Sequence, residues 1–138
     1  MKLKVKLDRG ACMPKRANPT DAGLDIASRE DVYFCPGERA MVDTGIHVEI
    51  PEGYMGMLAG RSSMGKRGLD VKLGIIDSDY RGAIKAVVEN RTNDRAIIST
   101  GDRIAQLIIV PITLPDLIEV DDLTETDRGE GGFGSTGR

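Results

Sequence analysis

Short apolar and β-branched runs, separated at close intervals by Gly, Pro, Asn and Asp, make up most of the chain. Such runs are typical of β-strands joined by tight turns. The predicted strands cover residues 1–7, 32–34, 39–43, 46–50, 54–59, 84–89, 96–99, 104–110 and 117–120. This pattern predicts an all-β sandwich, jelly roll or barrel. One short helix is predicted, from about Ser62 and Ser63, with serine as its N-cap, to Arg67, with Gly68 as its stop.

Composition limits the kind of protein this is. With 138 residues, 40% of them hydrophobic and 30% charged, the chain is expected to form one soluble globular domain. Its formal net charge of -3 argues against a general nucleic-acid-binding protein, which normally presents a basic face. We find no run of membrane-spanning length, and the alternating residues 1–7 predict a strand rather than a signal peptide. Cys12 and Cys35 form no CxxC pair and are expected to be reduced thiols in the cytoplasm.

The predicted strand over residues 104–110 is apolar on both faces. Ile104, Gln106, Ile108 and Val110 share one face, and Ala105, Leu107 and Ile109 share the other. The chain offers no long helix to cover a second face, so a partner subunit is one expected cover. A closed sandwich core is the alternative and needs no partner.

A carboxylate follows directly on a short apolar run in the segment 74–82. Ile75 and Ile76 predict the end of a strand, and Asp77, Ser78 and Asp79 predict the turn after it. An Asp with an apolar wall on one side and solvent on the other suits a general base. The alternative is that Asp77 hydrogen-bonds its own turn backbone.

Residues 60–68 combine glycines, two hydroxyls, three cations and the predicted helix start. Free N–H groups at a helix start bind phosphate, and Arg61 could add a forked contact. The alternative is a plain capped loop.

Two other polar residues are candidates: Asp25 for a cation or its waters, if it faces outward, and Gln106 for a ligand at the strand end. For Asp25 the alternative is a surface carboxylate, and for Gln106 it is an internal hydrogen bond of the amide. His47, the only histidine, is assigned no role.

The C-terminal segment, residues 127–138, is rich in glycine and contains one aromatic residue, Phe133. A disordered tail is one interpretation. An aromatic residue among glycines, hydroxyls and two Arg side chains favours a lid that orders over a nucleotide.

Taken together, five blocks resemble the motifs of the homotrimeric dUTPase family in order and approximate spacing. They are residues 21–28, 60–68, 74–82, 101–111 and 128–137. The resemblance implies a β jelly roll or distorted β-barrel, assembled as a trimer with active sites at subunit contacts. It also implies Mg²⁺-dependent hydrolysis of dUTP to dUMP and pyrophosphate, which limits uracil incorporation into DNA and supplies dUMP for dTMP synthesis. The location implied is the cytoplasm, or the host-cell cytoplasm if the chain is viral.

The resemblance further implies roles for individual residues. Asp77 would activate the attacking water, and Tyr80 would pack on the deoxyribose and exclude a 2′-hydroxyl. Asp25 would touch waters on a Mg²⁺ held mainly by the triphosphate. The groups expected on the phosphates are Arg61, Ser62, Ser63 and Gln106. The strand near Ile84 and Lys85 would complete the nucleoside pocket. The resemblance also implies a division into a β domain over residues 1–126 and a lid over residues 127–138. Phe133 of the lid would lie over the uracil. The other lid contacts would come from Arg128, Gly134, Ser135 and Thr136.

One position departs from the family pattern. Many members carry Asn where this chain has Val71. Uracil would then be read by backbone groups of a hairpin over residues 71–76, including Gly74, Ile75 and Ile76, with thymine excluded sterically.

Two alternatives to a dUTPase are a dCTP deaminase, which shares the Arg-Ser-Ser block, and a non-catalytic nucleotide-binding β-trimer. The Phe-bearing tail and the block from Gly74 to Tyr80 favour the dUTPase.

Overall fold

A computed structural model describes residues 1–137. Within them the chain forms eleven β-strands and one short helix. In chain order these are β1 (Lys4–Leu7), β2 (Leu24–Ala27), β3 (Val32–Phe34), β4 (Arg39–Asp43), β5 (Ile46–Glu49), β6 (Tyr54–Gly60), α1 (Ser62–Lys66), β7 (Leu69–Val71), β8 (Gly74–Ile76), β9 (Lys85–Asn90), β10 (Ala96–Ile98) and β11 (Arg103–Pro111). No helix among these residues is both long and apolar enough to cross a membrane.

Antiparallel pairing joins the strands into one four-stranded sheet (β2-β11-β6-β8), one three-stranded sheet (β4-β9-β7) and two two-stranded sheets (β1-β5 and β10-β3). The sheets enclose one apolar core. Its fully buried members come from most of the strands and include Ile26, Phe34, Val42, Ile46, Val88, Ile98 and Leu107. The predicted all-β jelly roll with a single short helix is therefore confirmed.

The helix lies where the sequence predicts it, but its cap is different. Its N-cap is Arg61, which makes no side-chain capping bond, so the predicted serine cap is wrong. Met64 anchors the helix because its side chain is almost fully buried. Gly68 has φ of +72°, a left-handed conformation that favours glycine and ends the helix as predicted.

Three expectations about strands need correction. Residues 117–120 form no strand, and Leu117 and Ile118 are exposed, because no strand among residues 1–137 pairs with them. The strands β2 and β7 were not predicted, since each is short and depends on a distant partner. Residues 71–76 are not a hairpin, because β7 pairs with β9 while β8 pairs with β6. This segment therefore crosses from one sheet to the other.

The central strand β11 is apolar on both sides, as predicted. Ile104 and Leu107 are fully buried, whereas Ile108 and Val110 are only half-buried in the single chain. A register irregularity between Arg103 and Ala105 lets two successive residues lie in the core. The half-buried outer side leaves apolar surface that a second chain could cover.

Candidate active site

The loop that follows β8 carries the predicted base. The Asp77 backbone carbonyl accepts from the Tyr80 N–H at 3.1 Å and closes the turn. The Asp77 side chain is exposed, and its carboxylate makes no hydrogen bond or ion pair to any residue among 1–137. The alternative, a side chain engaged by its own turn, is therefore not what the structure shows. A free carboxylate is available to take a proton from water.

Beside this loop lies a cavity of about 420 Å³. Its lining combines residues of β8 and the loop with the start of β9: Met41, Leu58, Gly74, Ile75, Ile76, Asp77, Tyr80, Ala83, Ile84 and Lys85. The Tyr80 hydroxyl donates to the Ala83 carbonyl at 3.1 Å, which fixes the ring at the cavity wall. Because β8 is an edge strand, one side of its backbone is unpaired within the sheet. Of the residues predicted for the nucleoside, the structure brings together Gly74, Ile75, Ile76, Tyr80, Ile84 and Lys85, whereas Val71 and Phe133 line other cavities.

The predicted phosphate block forms a second cavity of about 460 Å³. Gly60, Arg61 and Ser62 line it, and so does Val71. Ser62 and Ser63 are exposed in the first turn of α1, and their hydroxyls bind no residue among 1–137. A five-residue helix is short, so the exposed hydroxyls and Arg61 matter more here than a helix dipole. This surface is suited to an anionic group.

Asp25 does not face outward as an isolated carboxylate. Its Oδ1 lies 2.9 Å from Arg61 Nε, and its Oδ2 accepts from Arg103 Nη1 at 3.1 Å. Its side chain is only 14% exposed. Asp25 therefore orients Arg61, which sequence reasoning did not anticipate. Sequence reasoning also missed Arg103, which the sequence shows only as a cation at the start of the apolar run of β11.

Gln106 lies beside this ion pair. Its Cα is paired with that of Asp25, and its Nε2 donates to the Gly60 carbonyl at 3.3 Å. A Cβ on Gly23 would lie 2.9 Å from Gln106 Cβ, which is too close, so glycine at position 23 leaves the space that Gln106 fills. The internal hydrogen bond expected for Gln106 is present, and it places the amide next to the phosphate block.

A metal site made only of protein groups is absent from residues 1–137, where no cluster of three or more His, Cys, Asp or Glu side chains could hold an ion. Asp25 supplies a single carboxylate. Mg²⁺ commonly keeps several waters and binds through one or two carboxylates together with substrate phosphates. A single carboxylate whose two oxygens already pair with Arg61 and Arg103 fits an ion that is held mainly by the phosphates of its ligand.

The glycine-rich tail lies apart from these groups. Residues 127–136 line their own cavity of about 560 Å³. The Arg128 Nε donates to the Gly131 carbonyl at 2.7 Å, and the hydrogen bonds of residues 126–137 join tail residues to one another. Phe133 is fully exposed, with φ of +50°. Within one chain, the structure does not bring Arg128, Phe133, Gly134, Ser135 or Thr136 to the Asp77 cavity.

The single histidine occupies a position that sequence reasoning overlooked. On β5, His47 contacts both the Asp77 loop and Asp8. Its Nδ1 lies 2.8 Å from the Arg81 carbonyl, and its Nε2 lies 3.0 Å from Asp8 Oδ2. No local pattern signals this arrangement, because the three residues are distant in sequence.

Comparison with known proteins identifies relatives along nearly the whole chain. The family model described as dUTPase matches residues 9–137. The chain is 49% identical over 136 residues to the deoxyuridine 5'-triphosphate nucleotidohydrolase of Paramecium bursaria Chlorella virus 1, covering 98% of this chain and 96% of that protein. It is 44% identical over 142 residues to the protein of that name from Nautilia profundicola, covering 100% of both.

Solved structures agree with this. A mutant dUTPase of Staphylococcus bacteriophage 80alpha with dUpNHpp superposes with a TM-score of 0.94 at 35% identity, covering 99% of each chain. A mutant dUTPase from phage phi11 of S. aureus, described with a structural Mg(II) ion, superposes with a TM-score of 0.87 at 33% identity, covering 91% of this chain and all of that one. By sequence and by fold, this chain belongs to the dUTPase family.

Proposed function

We propose that Asp77 is the base with which this chain hydrolyses dUTP to dUMP and pyrophosphate. The observation that supports this role is the free Asp77 carboxylate at the wall of a cavity lined by Tyr80 and the edge strand β8. Family membership supports dUTP as the substrate, and the phage 80alpha enzyme has been described with dUpNHpp. Hydrolysis of dUTP limits uracil incorporation into DNA and supplies dUMP for dTMP synthesis.

The residues of the site divide the steps of the reaction between them. Asp77 accepts a proton from a water molecule as the water oxygen forms a bond to the α-phosphorus, and the bond to the pyrophosphate oxygen breaks. Arg61, Ser62, Ser63 and Gln106 bind the phosphates, and the Asp25 carboxylate holds Arg61 in place at 2.9 Å. Asp25 would also contact waters of a Mg²⁺ bound by the triphosphate, and that ion would offset phosphate charge.

The nucleoside would be recognised by the cavity beside β8. Tyr80 would pack on the deoxyribose and exclude a 2′-hydroxyl, because its ring is held by the Ala83 carbonyl. Backbone groups of Gly74, Ile75 and Ile76 would read uracil, since Val71 carries no amide and lies toward the phosphate cavity. Lys85 would complete the rim of this cavity.

We further propose a homotrimer with active sites at subunit contacts. The nucleoside cavity and the phosphate cavity share no lining residue within one chain, and no residue from 127 to 137 lines either of them. Large apolar side chains of the C-terminal segment are also exposed, among them Leu114, Leu117, Ile118 and Leu123. Exposed apolar residues on an extended segment suit packing on another copy. The segment 127–138 would then act as a lid over a site that another chain builds.

The cytoplasm, or the host-cell cytoplasm for a viral chain, is the location we propose. Cys12 and Cys35 are both free and exposed. Exposed unpaired thiols are typical of a reducing compartment.

Substrate profiling with purified protein and Mg²⁺ tests the activity. We expect pyrophosphate release from dUTP and little release from dTTP, dCTP or UTP. Ammonia release from dCTP would instead indicate a deaminase, and binding of dUTP without pyrophosphate release would indicate a non-catalytic nucleotide-binding protein.

A further inference from the structure

His47 joins two segments that are distant in sequence. It lies on β5, opposite Lys6 of β1, with its side chain 19% exposed. One ring nitrogen, Nδ1, is 2.8 Å from the Arg81 carbonyl oxygen, and the other, Nε2, is 3.0 Å from Asp8 Oδ2. The ring therefore connects the loop that carries Asp77 to the body of the domain.

Both partners of the ring are hydrogen-bond acceptors. A peptide carbonyl has no proton to donate, and an ionised carboxylate has none either. A neutral imidazole donates from only one nitrogen, so its other lone pair would face an acceptor oxygen. The two contacts are satisfied together only when both nitrogens carry protons, which makes the bound ring an imidazolium.

The surrounding charges agree with this protonation state. The Arg81 carbonyl, followed by the Asp8 carboxylate, raises the pKa of His47 above its ordinary value, although partial burial and the charge of Lys6 oppose the rise. The hydrogen bond from His47 is also the main reason that the pKa of Asp8 is lowered. Arg29 lies 3.8 Å from Asp8, and the Arg81 guanidinium turns toward its own loop, donating to Ser78 O at 2.7 Å. The other charged groups that line the cavity beside the His47 ring are Lys4 and Glu49, which form an ion pair with each other.

The hydrogen bond to Arg81 is the one that holds the loop from outside. The other hydrogen bonds of residues 77–83 join members of the loop: Tyr80 to the Asp77 carbonyl, Arg81 to the Ser78 and Tyr80 carbonyls, and Tyr80 to the Ala83 carbonyl. Among residues 1–137, only His47 makes a hydrogen bond from elsewhere in the chain to this loop. The backbone of Ile84, directly after the loop, is fixed by hydrogen bonds with Ile46 and Thr44, so loss of the His47 contact would loosen the residues between β8 and Ile84.

We propose that doubly protonated His47 is a positioning residue that holds the loop 77–82 against β5 and so places Asp77 and Tyr80 for the reaction. This inference rests on the proposed function, since it assigns His47 a task in dUTP hydrolysis. As pH rises and the ring loses a proton, a lone pair faces either the Arg81 carbonyl or Asp8. The loop then loosens and turnover declines.

The first test observes the ring directly. Because the chain contains one histidine, imidazole NMR signals belong to His47 without assignment variants. We expect the form with both nitrogens protonated to predominate at pH 6.5, with a titration midpoint above the ordinary value of about 6.5. The Asp8→Asn variant should lower this midpoint, because the introduced side-chain amide can donate to Nε2 while Nδ1 still donates to the Arg81 carbonyl. A ring that is neutral at pH 6.5 in the wild type would overturn the proposal.

The second test measures kcat and KM for dUTP between pH 6 and 9. For His47→Ala we expect kcat at pH 6.5 to fall about tenfold, below the roughly 10²-fold that a 1 Å misplacement can cost, with a smaller change in KM. The ratio of wild-type to variant kcat should shrink toward pH 9. Asp8→Asn should keep near wild-type kcat and lose the alkaline decline. The matched control is Glu49→Ala, on the same strand face but without contact to the loop, and it should resemble the wild type.

The outcomes distinguish failure of the positioning role from failure of the proposed function. Equal kcat for His47→Ala and wild type across the pH range would overturn the positioning role. If the wild type releases no pyrophosphate from dUTP, the proposed function fails. In that case amide hydrogen exchange decides the loop contact alone: protection of the Tyr80 amide, which donates to the Asp77 carbonyl, should fall in His47→Ala, and unchanged protection overturns the contact.

Discussion

Gly82→Ala tests the part of the site that distinguishes deoxyribose from ribose. A Cβ at position 82 would lie 2.5 Å from Tyr80 Cζ, and the Tyr80 hydroxyl is nearer still. Because non-bonded carbon atoms favour separations of about 3.5–4.0 Å, the ring has to retreat by more than about 1 Å. Gly82 does not have a positive φ, so alanine meets no backbone strain there. The substitution therefore acts on the Tyr80 ring and on its hydrogen bond to Ala83.

The expected result is a loss of both rate and selectivity. A displacement of about 1 Å near reacting groups can cost roughly 10²-fold, so kcat/KM for dUTP should fall by about 10- to 100-fold. A displaced ring no longer excludes a 2′-hydroxyl by the same fit, so the preference for dUTP over UTP should narrow by about tenfold or more. Pyrophosphate release from both nucleotides measures this, with thermal unfolding to confirm the fold.

Asp79→Ala is the control from the same loop, since the Asp79 side chain is exposed and makes no hydrogen bond among residues 1–137. It should change kcat/KM by less than about threefold, as is usual for surface substitutions. Gly82→Ala with wild-type kcat/KM for dUTP and an unchanged preference over UTP would show that Tyr80 does not shape the sugar site.

The remaining predictions concern the base, the tail, the assembly and the histidine. Asp77→Asn should lower kcat by about 10²–10⁴-fold while dUTP binding and assembly persist; near wild-type turnover would remove Asp77 from the mechanism. Truncation after Asp127 should leave thermal stability unchanged and sharply reduce dUTP hydrolysis, with Phe133→Ala acting in the same direction but more weakly; normal hydrolysis by the truncated chain would contradict the lid. Light scattering should give the mass of three chains, and the mass of one chain would rule out a shared site. Because the pKa of His47 is raised in the folded state, its stabilising contribution should be full below the ordinary histidine pKa and lost as pH rises through the folded value. Denaturant unfolding of wild type and His47→Ala should therefore differ most below about pH 6.5 while Asp8 is still ionised, and converge at high pH.

The strand pattern of the sequence predicted the all-β class because alternation and turn residues are local signals. The same locality explains the errors. Residues 117–120 carry an apolar pattern but pair with no strand in the described part of the chain, and β2 becomes a strand because β11 pairs with it. Pairing partners lie far apart in sequence, so short segments reveal little of them.

The site divides in the same way. The sequence by itself identified candidate residues from their immediate neighbours: Asp77 at the end of a strand, the hydroxyls at the start of α1, and a Phe among glycines. The tertiary structure decided which groups meet across the chain. It paired Asp25 with Arg61 and Arg103, and it placed His47 between Asp8 and the Arg81 carbonyl. A charge or a hydrogen bond acts through distance in space, and that distance is set only when β-strands far apart in sequence pair in one register.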